Sequence, residues 1–318
     1  MWLGIAAALL ACALWGVTYV LPGLLPNYDV LHTGLVRCII VGTCALLLTL
    51  PAHNQLKTLK AKDWIIVLEL GIIGSFVNFL AQLFCSAWSG PSVSGMTTGA
   101  IPVLVAIISN ERDRRKGKPF LPLHRLMFPL CLLCIGFVLC NISEFSSIST
   151  QGDEWKFLLG VVFGISHTLL WTWYPIVNAD WLQAHPKFSS STWATLQCAS
   201  LLPVGLISFI IFRTWFLPET TLTLGDTPVW FVSVLLLNGF FSSIVAMSLW
   251  NYASKHAPTA LVGQLMVFET IFAVLFGHIV AHKIPAMVLF LGVICLTIGV
   301  SLALHMFNKL DYQPKNEK

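Results

Sequence analysis

Charged residues are scarce in this sequence, and long polar segments are absent. Only 10% of the 318 residues are Asp, Glu, Lys or Arg, whereas 57% are hydrophobic. The polar connections between apolar runs have about 15 residues or fewer, so no loop is long enough to hold a soluble catalytic or regulatory domain. The function must therefore reside in the apolar runs themselves.

The usual motifs of an enzyme active site are also missing. The apolar runs contain no H-E-x-x-H, no G-x-S-x-G and no paired aspartates. Cys131 and Cys134 form a single C-x-x-C pair, for which apolar packing is a better explanation than zinc or redox chemistry. His278 and His282 have metal-like i, i+4 spacing but no third ligand nearby, so we expect them to anchor at a membrane interface. Neither a cofactor nor a metal site is predicted.

Apolar runs of roughly 18 to 25 residues dominate the chain, which is the length that a helix needs to cross a bilayer. The pattern predicts an all-α integral membrane protein with ten transmembrane helices. These predicted spans lie at about residues 2–21, 31–50, 64–87, 93–110, 124–142, 156–177, 191–213, 229–253, 260–281 and 286–306.

Lys and Arg are distributed unequally among the connections. If the N-terminus is cytoplasmic, fourteen of them face the cytoplasm and only Lys156, Arg213 and Lys283 face the opposite side. The positive-inside rule then predicts that both termini are cytoplasmic, which in a bacterium means a multi-pass protein of the inner membrane. The formal net charge of +4 comes from these flanks. They lack interleaved aromatic residues, so no nucleic-acid partner is expected.

Two weak copies of one pattern divide the chain. With residue 91 set on residue 258, Pro91 meets Pro258 and Pro102 meets Glu269. Each copy holds five predicted spans, an odd number, so the second copy must be inverted relative to the first, as in many secondary transporters. The predicted organisation is a first five-helix repeat at 1–143, a periplasmic linker at 144–155, a second, inverted repeat at 156–306 and a cytoplasmic tail at 307–318.

Several short motifs are similar to those of a known family. The first span contains Leu14-Trp15-Gly16-Val17-Thr18-Tyr19-Val20, the fourth contains Ile101-Pro102-Val103, and the tenth has glycines at 292 and 299. These motifs resemble those of the drug/metabolite transporter superfamily, EamA type, and the similarity covers all ten spans. Segments 94–102 and 267–270 more narrowly resemble the YtfF-type bacterial inner-membrane proteins.

This resemblance implies a ten-helix carrier whose central cavity lies between spans 1, 3, 4, 6, 8 and 9. Such a carrier moves a small organic solute by alternating access. The chain departs from many relatives in the ninth span, where it has Glu269 in place of a proline and ends with His282-Lys283 instead of a glutamate. Coupling rules from those relatives therefore do not transfer directly.

Glu269 is the most informative polar residue, because it lies in the middle of the uncharged run 260–281. A carboxylate at bilayer depth costs several kcal/mol and usually serves a function. One interpretation is that Glu269 alternates between a proton and a substrate amine, which would couple transport to the proton gradient. The alternative is a static contact, neutral or paired with His167 or an Asn.

Other polar or aromatic side chains fall at similar depth, and we expect them to form one polar chamber. His167 either shares the proton of Glu269 or makes a structural hydrogen bond to a neighbouring helix. The deep tryptophans either stack against the solute or pack helices together. The remaining candidates for substrate contact are Asn78, Asn238, Gln264, Trp15 and Trp171.

Three further residues have two interpretations each. Arg37, near the outer end of the second span, either extends toward the lipid headgroups or reaches into the cavity to hold a substrate carboxylate. Pro102 and Pro175 each remove a helix hydrogen bond, so they mark either gating hinges or static kinks.

These observations favour a secondary transporter of a metabolite, amino acid or drug-like solute, with proton-coupled export as the expected mode. The alternatives are an uncoupled channel or exchanger and an intramembrane enzyme. The expected partners are the solute, protons and the lipid bilayer, in a monomer or a homodimer.

Overall fold

The computed structural model describes residues 2–115, 123–148, 154–216, 225–256, 262, 265–282, 284 and 286–311. All regular secondary structure in these segments is helical. In chain order the helices are α1 (Trp2–Leu24), α2 (Val30–Leu56), α3 (Ala61–Ser89), α4 (Pro91–Thr98), α5 (Ile101–Arg115), α6 (Leu123–Ile148), α7 (Glu154–Ala184), α8 (Ser190–Thr214), α9 (Pro228–His256), α10 (Val267–Val280) and α11 (Met287–Asp311).

Six of these helices, α1, α2, α3, α7, α8 and α9, are long and apolar enough to cross a membrane. Shorter apolar stretches lie in α6, α10 and α11. Large apolar side chains on the outer surface are exposed, among them Leu47, Ile165 and Ile207 at 61%, 52% and 60%. A helical chain with an apolar exterior suits a bilayer, because each helix satisfies its own backbone hydrogen bonds.

Local sequence signals set the ends of several helices. The Asp29 carboxylate accepts the His32 N–H at 2.8 Å and caps the start of α2. Ser189 caps α8 in the same way through the Thr192 N–H. Gly90 ends α3 with φ +94°, a conformation open to glycine, and Pro91 begins α4 directly after it. The chain can therefore reverse between α3 and α4 without a long loop.

The structure differs from the predicted organisation in the fourth and ninth spans and at two boundaries. In the ninth, predicted over 260–281, a turn at Met266 precedes α10, which begins at Val267. The fourth span, predicted as one helix over 93–110, is divided into α4 and α5 by a turn at residues 99 and 100. The break has a local cause, because Pro102 has no N–H to bond the carbonyl of Thr98, four residues earlier. Helix α6 reaches Ile148 and α7 begins at Glu154, so helix occupies part of the segment predicted as a linker. Helix α11 reaches Asp311, inside the segment predicted as a tail.

Helices from the two halves of the chain pack against each other in matching pairs. Helix α1 packs on α9, and α7 packs on α3. Helix α1 also contacts α10, as α7 contacts α4 and α5. Further pairs are α2 with α8, α6 with α11, and α4 with α10. If α1, α2, α3, α4 with α5, and α6 are matched in order to α7, α8, α9, α10 and α11, exchanging the two sets leaves these pairs unchanged.

Two π-helical turns interrupt the long helices at matching positions. One covers Ile72–Val77 in α3, and the other covers Phe240–Val245 in α9. With residue 91 set on residue 258, the two turns coincide within one residue. A π turn holds an additional residue per turn and often occurs at functional sites. Both of these turns border the central cavity described below.

Small residues allow helix backbones to approach closely, which is a main source of packing energy between helices in a membrane. At Gly42 in α2, an added Cβ would lie 2.3 Å from the backbone N of Leu202 in α8. At Gly23 in α1, an added Cβ would meet only Val280 Cγ1, at 3.4 Å. Gly42 therefore has no room for a methyl group, whereas Gly23 can accommodate one.

We expect Gly42→Ala to destabilise the protein by about 1–3 kcal/mol, because α2 and α8 would have to move apart. Gly23→Ala is the matched control and should change stability by no more than about 0.5 kcal/mol. Thermal unfolding of the purified variants in detergent would measure both. Equal melting temperatures for the two variants would contradict the close α2–α8 contact.

Candidate substrate-binding site

A cavity of about 60 Å³, bordered by both polar and apolar side chains, lies between the helices. It is bordered by side chains from α1, α2, α3, α7, α8, α9 and α10. The structure brings together here six of the residues that the sequence predicts for substrate contact: Trp15, Arg37, Asn78, His167, Trp171 and Glu269. Asn238 is not among the residues that border the cavity, but it accepts a hydrogen bond from Arg37, which is. Gln264 lies outside the described residues.

Glu269 is the third residue of α10, in the first turn of that helix, and is only 2% exposed. Its Oε1 accepts a hydrogen bond from the Tyr19 hydroxyl at 2.8 Å. The same hydroxyl lies 2.7 Å from Thr98 Oγ1, at the end of α4. Within the described part of the chain, Glu269 Oε2 has no hydrogen-bond partner. One oxygen is thus held by a chain of hydroxyls, and the carboxyl as a whole faces the cavity.

Tyr19 was not among the site residues predicted from the sequence. It belongs to a one-turn 3-10 segment, Val17–Val20, that follows the regular part of α1. Its backbone carbonyl accepts a hydrogen bond from Ser86 Oγ in α3. One feature of the sequence could have indicated it: Tyr19 places a phenolic hydroxyl in a helix that is otherwise almost entirely apolar. A buried hydroxyl of this kind usually needs a hydrogen-bond partner.

His167 does not pair with Glu269. The alternative in which Glu269 is a static contact of His167 is therefore wrong. The imidazole is 2% exposed, and neither ring nitrogen has a hydrogen-bond partner in the described residues. Its ring lies edge-on to Tyr19 and nearly parallel to Trp171, with both centroids 6.4 Å away. The backbone of Asn78, in the neighbouring helix α3, lies near enough to interact with the ring, so the alternative of a structural contact with another helix stays open. The nitrogens border the cavity as well.

Arg37 is 3% exposed and borders the cavity, so it does not extend toward the lipid headgroups. Its Nε donates to Asn238 Oδ1 at 2.7 Å, and its Nη2 donates to Ser242 Oγ at 2.7 Å and Ser243 Oγ at 3.0 Å. The guanidinium carbon also lies 4.1 Å from the centre of the Phe79 ring. The two serines belong to the π turn of α9, which places both hydroxyls beside one guanidinium.

Aromatic rings form one wall of the cavity. The Trp15 ring lies 5.2 Å from the rings of Trp171 and Trp250, measured between centroids. Trp171 stacks on Tyr174 at 4.9 Å with an angle of 14° between the rings. The Trp15 contacts pack α1 against α7 and α9, the Trp171–Tyr174 stack lies within α7, and both Trp15 and Trp171 also border the cavity.

Buried polar atoms without hydrogen-bond partners are concentrated around this cavity. The described residues contain eleven such atoms, and six of them belong to cavity-lining residues. They are Thr18 Oγ1, Asn78 Oδ1, both ring nitrogens of His167, Trp171 Nε1 and Glu269 Oε2. Native proteins leave few buried polar groups unpaired, and each one calls for an explanation. Unpaired groups of this kind are able to bind water or a polar solute.

A second polar cluster closes one end of the helix bundle, the end where α3 and α8 begin and α7 and α9 finish. We call it the basic end, because the connections at 57–62 and 185–189 and Lys255 lie there. Asn178 Oδ1 accepts from Trp193 Nε1 at 2.9 Å and Gln197 Nε2 at 3.1 Å, and Asn178 Nδ2 donates to Asn251 Oδ1 at 2.8 Å. This cluster ties α7, α8 and α9 together and was not predicted from the sequence.

Trp181 extends the closure of the basic end. Its Nε1 donates to Asp63 Oδ1 at 2.9 Å, joining α7 to the start of α3. Its ring stacks on Trp193 of α8, with centroids 3.4 Å apart and an angle of 2° between the planes. Asp63 Oδ2 in turn accepts the Lys60 N–H. Hydrogen bonds and stacked rings therefore join three helices at this end.

Ion pairs on the surface mark the same end. Arg112 Nη2 lies 2.5 Å from Asp180 Oδ2, linking α5 to α7. At the end of α5, Glu111 accepts hydrogen bonds from Arg114 and Arg115, and these bonds lower the pKa of its carboxyl to about 2. Such exposed pairs contribute little to stability.

The two predicted hinge prolines lie outside the cavity wall. Pro102 is the second residue of α5, directly after the break between α4 and α5. Pro175 lies inside the continuous helix α7. Pro102 therefore follows a break in the helix of the fourth span, whereas Pro175 lies inside an unbroken helix.

Comparison with known proteins agrees with this architecture. The model of the EamA-like transporter family matches residues 2–110 and 158–304. The chain is 30% identical over 304 residues to the Inner membrane protein YtfF of Escherichia coli (strain K12), a match that covers 94% of each protein. A protein known from a crystal structure has a TM-score of 0.67 and 14% identity, covering 97% of this chain and 98% of that one, which supports the fold alone. The resemblance predicted from the motifs is confirmed: the chain belongs to the EamA-like transporter family.

Proposed function

We propose that this transporter exports a small organic solute in exchange for protons, across a bacterial inner membrane and by alternating access. Family membership makes it a membrane transporter of solutes. The coupling ion, the direction and the mechanism are the proposal. The observation that carries it is the carboxyl of Glu269, which is buried in an apolar interior and borders the cavity.

The hydroxyl chain beside Glu269 supports proton exchange, because it can serve both protonation states. When the carboxyl is ionised, Tyr19 donates to Glu269 Oε1 and Thr98 donates to Tyr19. When Oε1 carries a proton, Glu269 can donate to Tyr19, Tyr19 to Thr98, and Thr98 to the Ser94 carbonyl at 3.1 Å. In both states the proton of each hydroxyl in the chain has an acceptor.

The pairing of helices supports a transporter with two inverted repeats. We propose that α4 and α5 together form one broken span, which gives five spans at residues 1–143 and five at 156–306. The symmetric helix pairs and the matching π turns of α3 and α9 are the observations in favour. In this arrangement the cavity lies between the two halves, where alternating access requires the solute site to be.

The placement of Lys and Arg supports a cytoplasmic basic end, and with it two cytoplasmic termini. The related E. coli protein is described as an inner membrane protein, which agrees with a bacterial inner membrane for this chain. We infer that the structure has its cytoplasmic side closed by the Asn178 cluster and the Trp181 contacts. Opening of that cluster would admit solute from the cytoplasm, with Pro102 and Pro175 as candidate bending points.

Proteoliposomes with an acidic lumen and the pH indicator pyranine inside would test this function. The lumen stands for the periplasm, and the small-molecule fraction of a bacterial cell extract is added outside. Solute entry in exchange for protons should raise the luminal pH, and nigericin, which dissipates the pH gradient, should prevent the solute from accumulating. Protein-free liposomes are the control.

The sign of the pH change separates the possible outcomes. Acidification of the lumen on addition of the fraction would indicate symport and contradict proton-driven export. Solute entry without any change in luminal pH would favour an uncoupled channel or exchanger.

A further inference from the structure

We propose that His185 is a pH-sensitive switch of the basic end, which is held closed when the imidazole is protonated and opens more readily when it is neutral. His185 directly follows α7 and does not border the cavity described above. The inference rests on the proposed function for one point, namely that the basic end faces the cytoplasm. It adds a regulation of solute entry that the proposed function does not contain.

A hydrogen bond fixes which ring nitrogen of His185 takes up a proton. Nδ1 lies 2.9 Å from the backbone carbonyl oxygen of Trp181, and because a carbonyl oxygen only accepts, Nδ1 carries a hydrogen. The neutral ring therefore has its lone pair on Nε2. This nitrogen faces Asp63, with 3.9 Å between Nε2 and Oδ1. The proton is thus gained or lost at the nitrogen that lies beside a carboxylate.

Asp63 is fixed by two other contacts, so its carboxylate stays opposite the imidazole. Oδ1 accepts from Trp181 Nε1 at 2.9 Å, Oδ2 accepts from the Lys60 N–H at 2.8 Å, and the side chain is only 4% exposed. A neutral imidazole turns a lone pair toward this carboxylate, whereas a protonated imidazole turns a positively charged N–H toward it. Protonation of His185 therefore changes a repulsive contact into an ion pair.

The ion pair lies between two helices, whereas the stacking of the imidazole lies at the end of one. The His185 ring packs on Trp181, with centroids 4.1 Å apart and an angle of 17° between the planes. Both rings move with the end of α7, so this stack orients the imidazole whether the basic end is open or closed. Asp63 belongs to α3. The contact that changes with protonation therefore joins α7 to α3, and only the closed arrangement contains it.

The charged groups around His185 do not reproduce this switch. They are Lys60 and Lys62 at the start of α3, Asp180 in α7, Lys187 in the connection that follows, and Lys255 and His256 at the end of α9. Carboxylates and ammonium groups ordinarily keep their charge between about pH 6 and about pH 8. His256 is the second imidazole among these groups, but the contacts that the structure gives its ring, to the Tyr252 carbonyl and the Tyr252 ring, lie within its own helix.

The direction of the switch suits a transporter that admits protons. Each export cycle of the proposed function brings protons into the cytoplasm, and a cytoplasmic His185 takes up a proton as that side becomes acidic. The basic end then stays closed for longer, and solute entry slows. The switch thereby limits the acidification that proton-driven export causes.

Hydrogen–deuterium exchange of the purified full-length protein in lipid nanodiscs would test the switch without any solute. Peptides that cover residues 60–66 and 181–189 report opening of the basic end. His185→Gln should exchange about 2- to 5-fold faster than the wild-type protein at about pH 6, the change expected for one partly exposed ion pair, and equally fast at about pH 8. His185→Arg, which is charged at both pH values, should exchange more slowly than the wild-type protein at about pH 8. Comparison of variants at one pH cancels the pH dependence of the exchange chemistry.

His53→Gln is the control, because it removes an exposed imidazole from the same end of the protein. It should exchange like the wild-type protein at both pH values. A transport measurement uses the acid-lumen proteoliposomes and the cell-extract fraction at a constant pH gradient. The ratio of the His185→Gln rate to the wild-type rate should be higher at about pH 6 outside than at about pH 8. Taking the ratio removes the pH dependence of Glu269, which both proteins share.

Three exchange results would overturn the inference. One is equal exchange of His185→Gln and the wild-type protein at about pH 6. Another is a difference of the same size at both pH values, which would give His185 a structural role independent of its charge. The third is an equal response of His53→Gln, which would exclude a switch specific to His185. Absence of solute-dependent proton movement by the wild-type protein would instead contradict the proposed function and leave the exchange result standing.

Discussion

Glu269→Gln should reduce proton-driven solute accumulation to the background of protein-free liposomes. Glutamine keeps an Oε1 that accepts from the Tyr19 hydroxyl, but it can neither bind nor release a proton. Stability should therefore change by less than about 1 kcal/mol, because the one hydrogen bond that the structure gives this side chain is preserved. Exchange of labelled for unlabelled solute at equal pH should be affected far less than net transport, since exchange needs no net proton movement.

The matched control is Glu69→Gln, which removes a carboxylate from α3 at an exposed position outside the cavity wall. That variant should accumulate solute like the wild-type protein. Normal coupled accumulation by Glu269→Gln would show that the buried carboxyl is only structural. If both variants lost activity and also melted at lower temperatures, the cause would be a folding defect and not a coupling defect.

Asn178→Ala should cause the largest loss of stability, about 2–4 kcal/mol. The side chain is fully buried and makes three hydrogen bonds, to Trp193, Gln197 and Asn251. Truncation would leave two donors and one acceptor buried without that partner, and each such group costs about 1–3 kcal/mol in general. Individual side-chain hydrogen bonds in membranes average nearer 0.6 kcal/mol, which places the total toward the lower end of the range.

Thermal unfolding in detergent would measure this effect, with Asn54→Ala as the control. Asn54 is exposed in the short helical turn His53–Leu56, so its truncation should change stability by less than about 0.5 kcal/mol. A double-mutant cycle with Asn251→Ala should yield a positive coupling energy. Zero coupling would show that the Asn178–Asn251 contact contributes nothing to closing the basic end.

Much of the candidate site could be predicted because the surrounding helices are so apolar. In that background a polar side chain in mid-span, such as Asn78, His167 or Glu269, is conspicuous, and depth alone assigns it to the interior. Arg37 could not be assigned in the same way. Its long side chain reaches either the headgroups or the cavity from the same backbone position, and only the packing of α2 against α9 decides between them.

The partners of these residues could not be predicted from the sequence. Hydroxyl-bearing residues such as Tyr19, Ser242 and Ser243 have nearly neutral hydropathy and do not stand out within an apolar span. A serine hydroxyl can also bond to a carbonyl of its own helix, so it does not require a partner on another helix. The π turns in α3 and α9 change which residues share a helix face, so a regular 3.6-residue period does not reveal that both serines reach one guanidinium. The alternative in which His167 pairs with Glu269 is not found, and the 3-10 segment of α1 brings Tyr19 to that carboxyl instead.

The parallel stack of Trp181 on Trp193 gives this protein an optical reporter of its own. Two stacked indole rings with centroids 3.4 Å apart interact electronically, so a change in their separation should alter their absorption and fluorescence. The rings belong to α7 and α8, so their coupling depends on the spacing of those helices at the basic end. Movement there can therefore be followed by light in the unlabelled protein, before any solute has been identified.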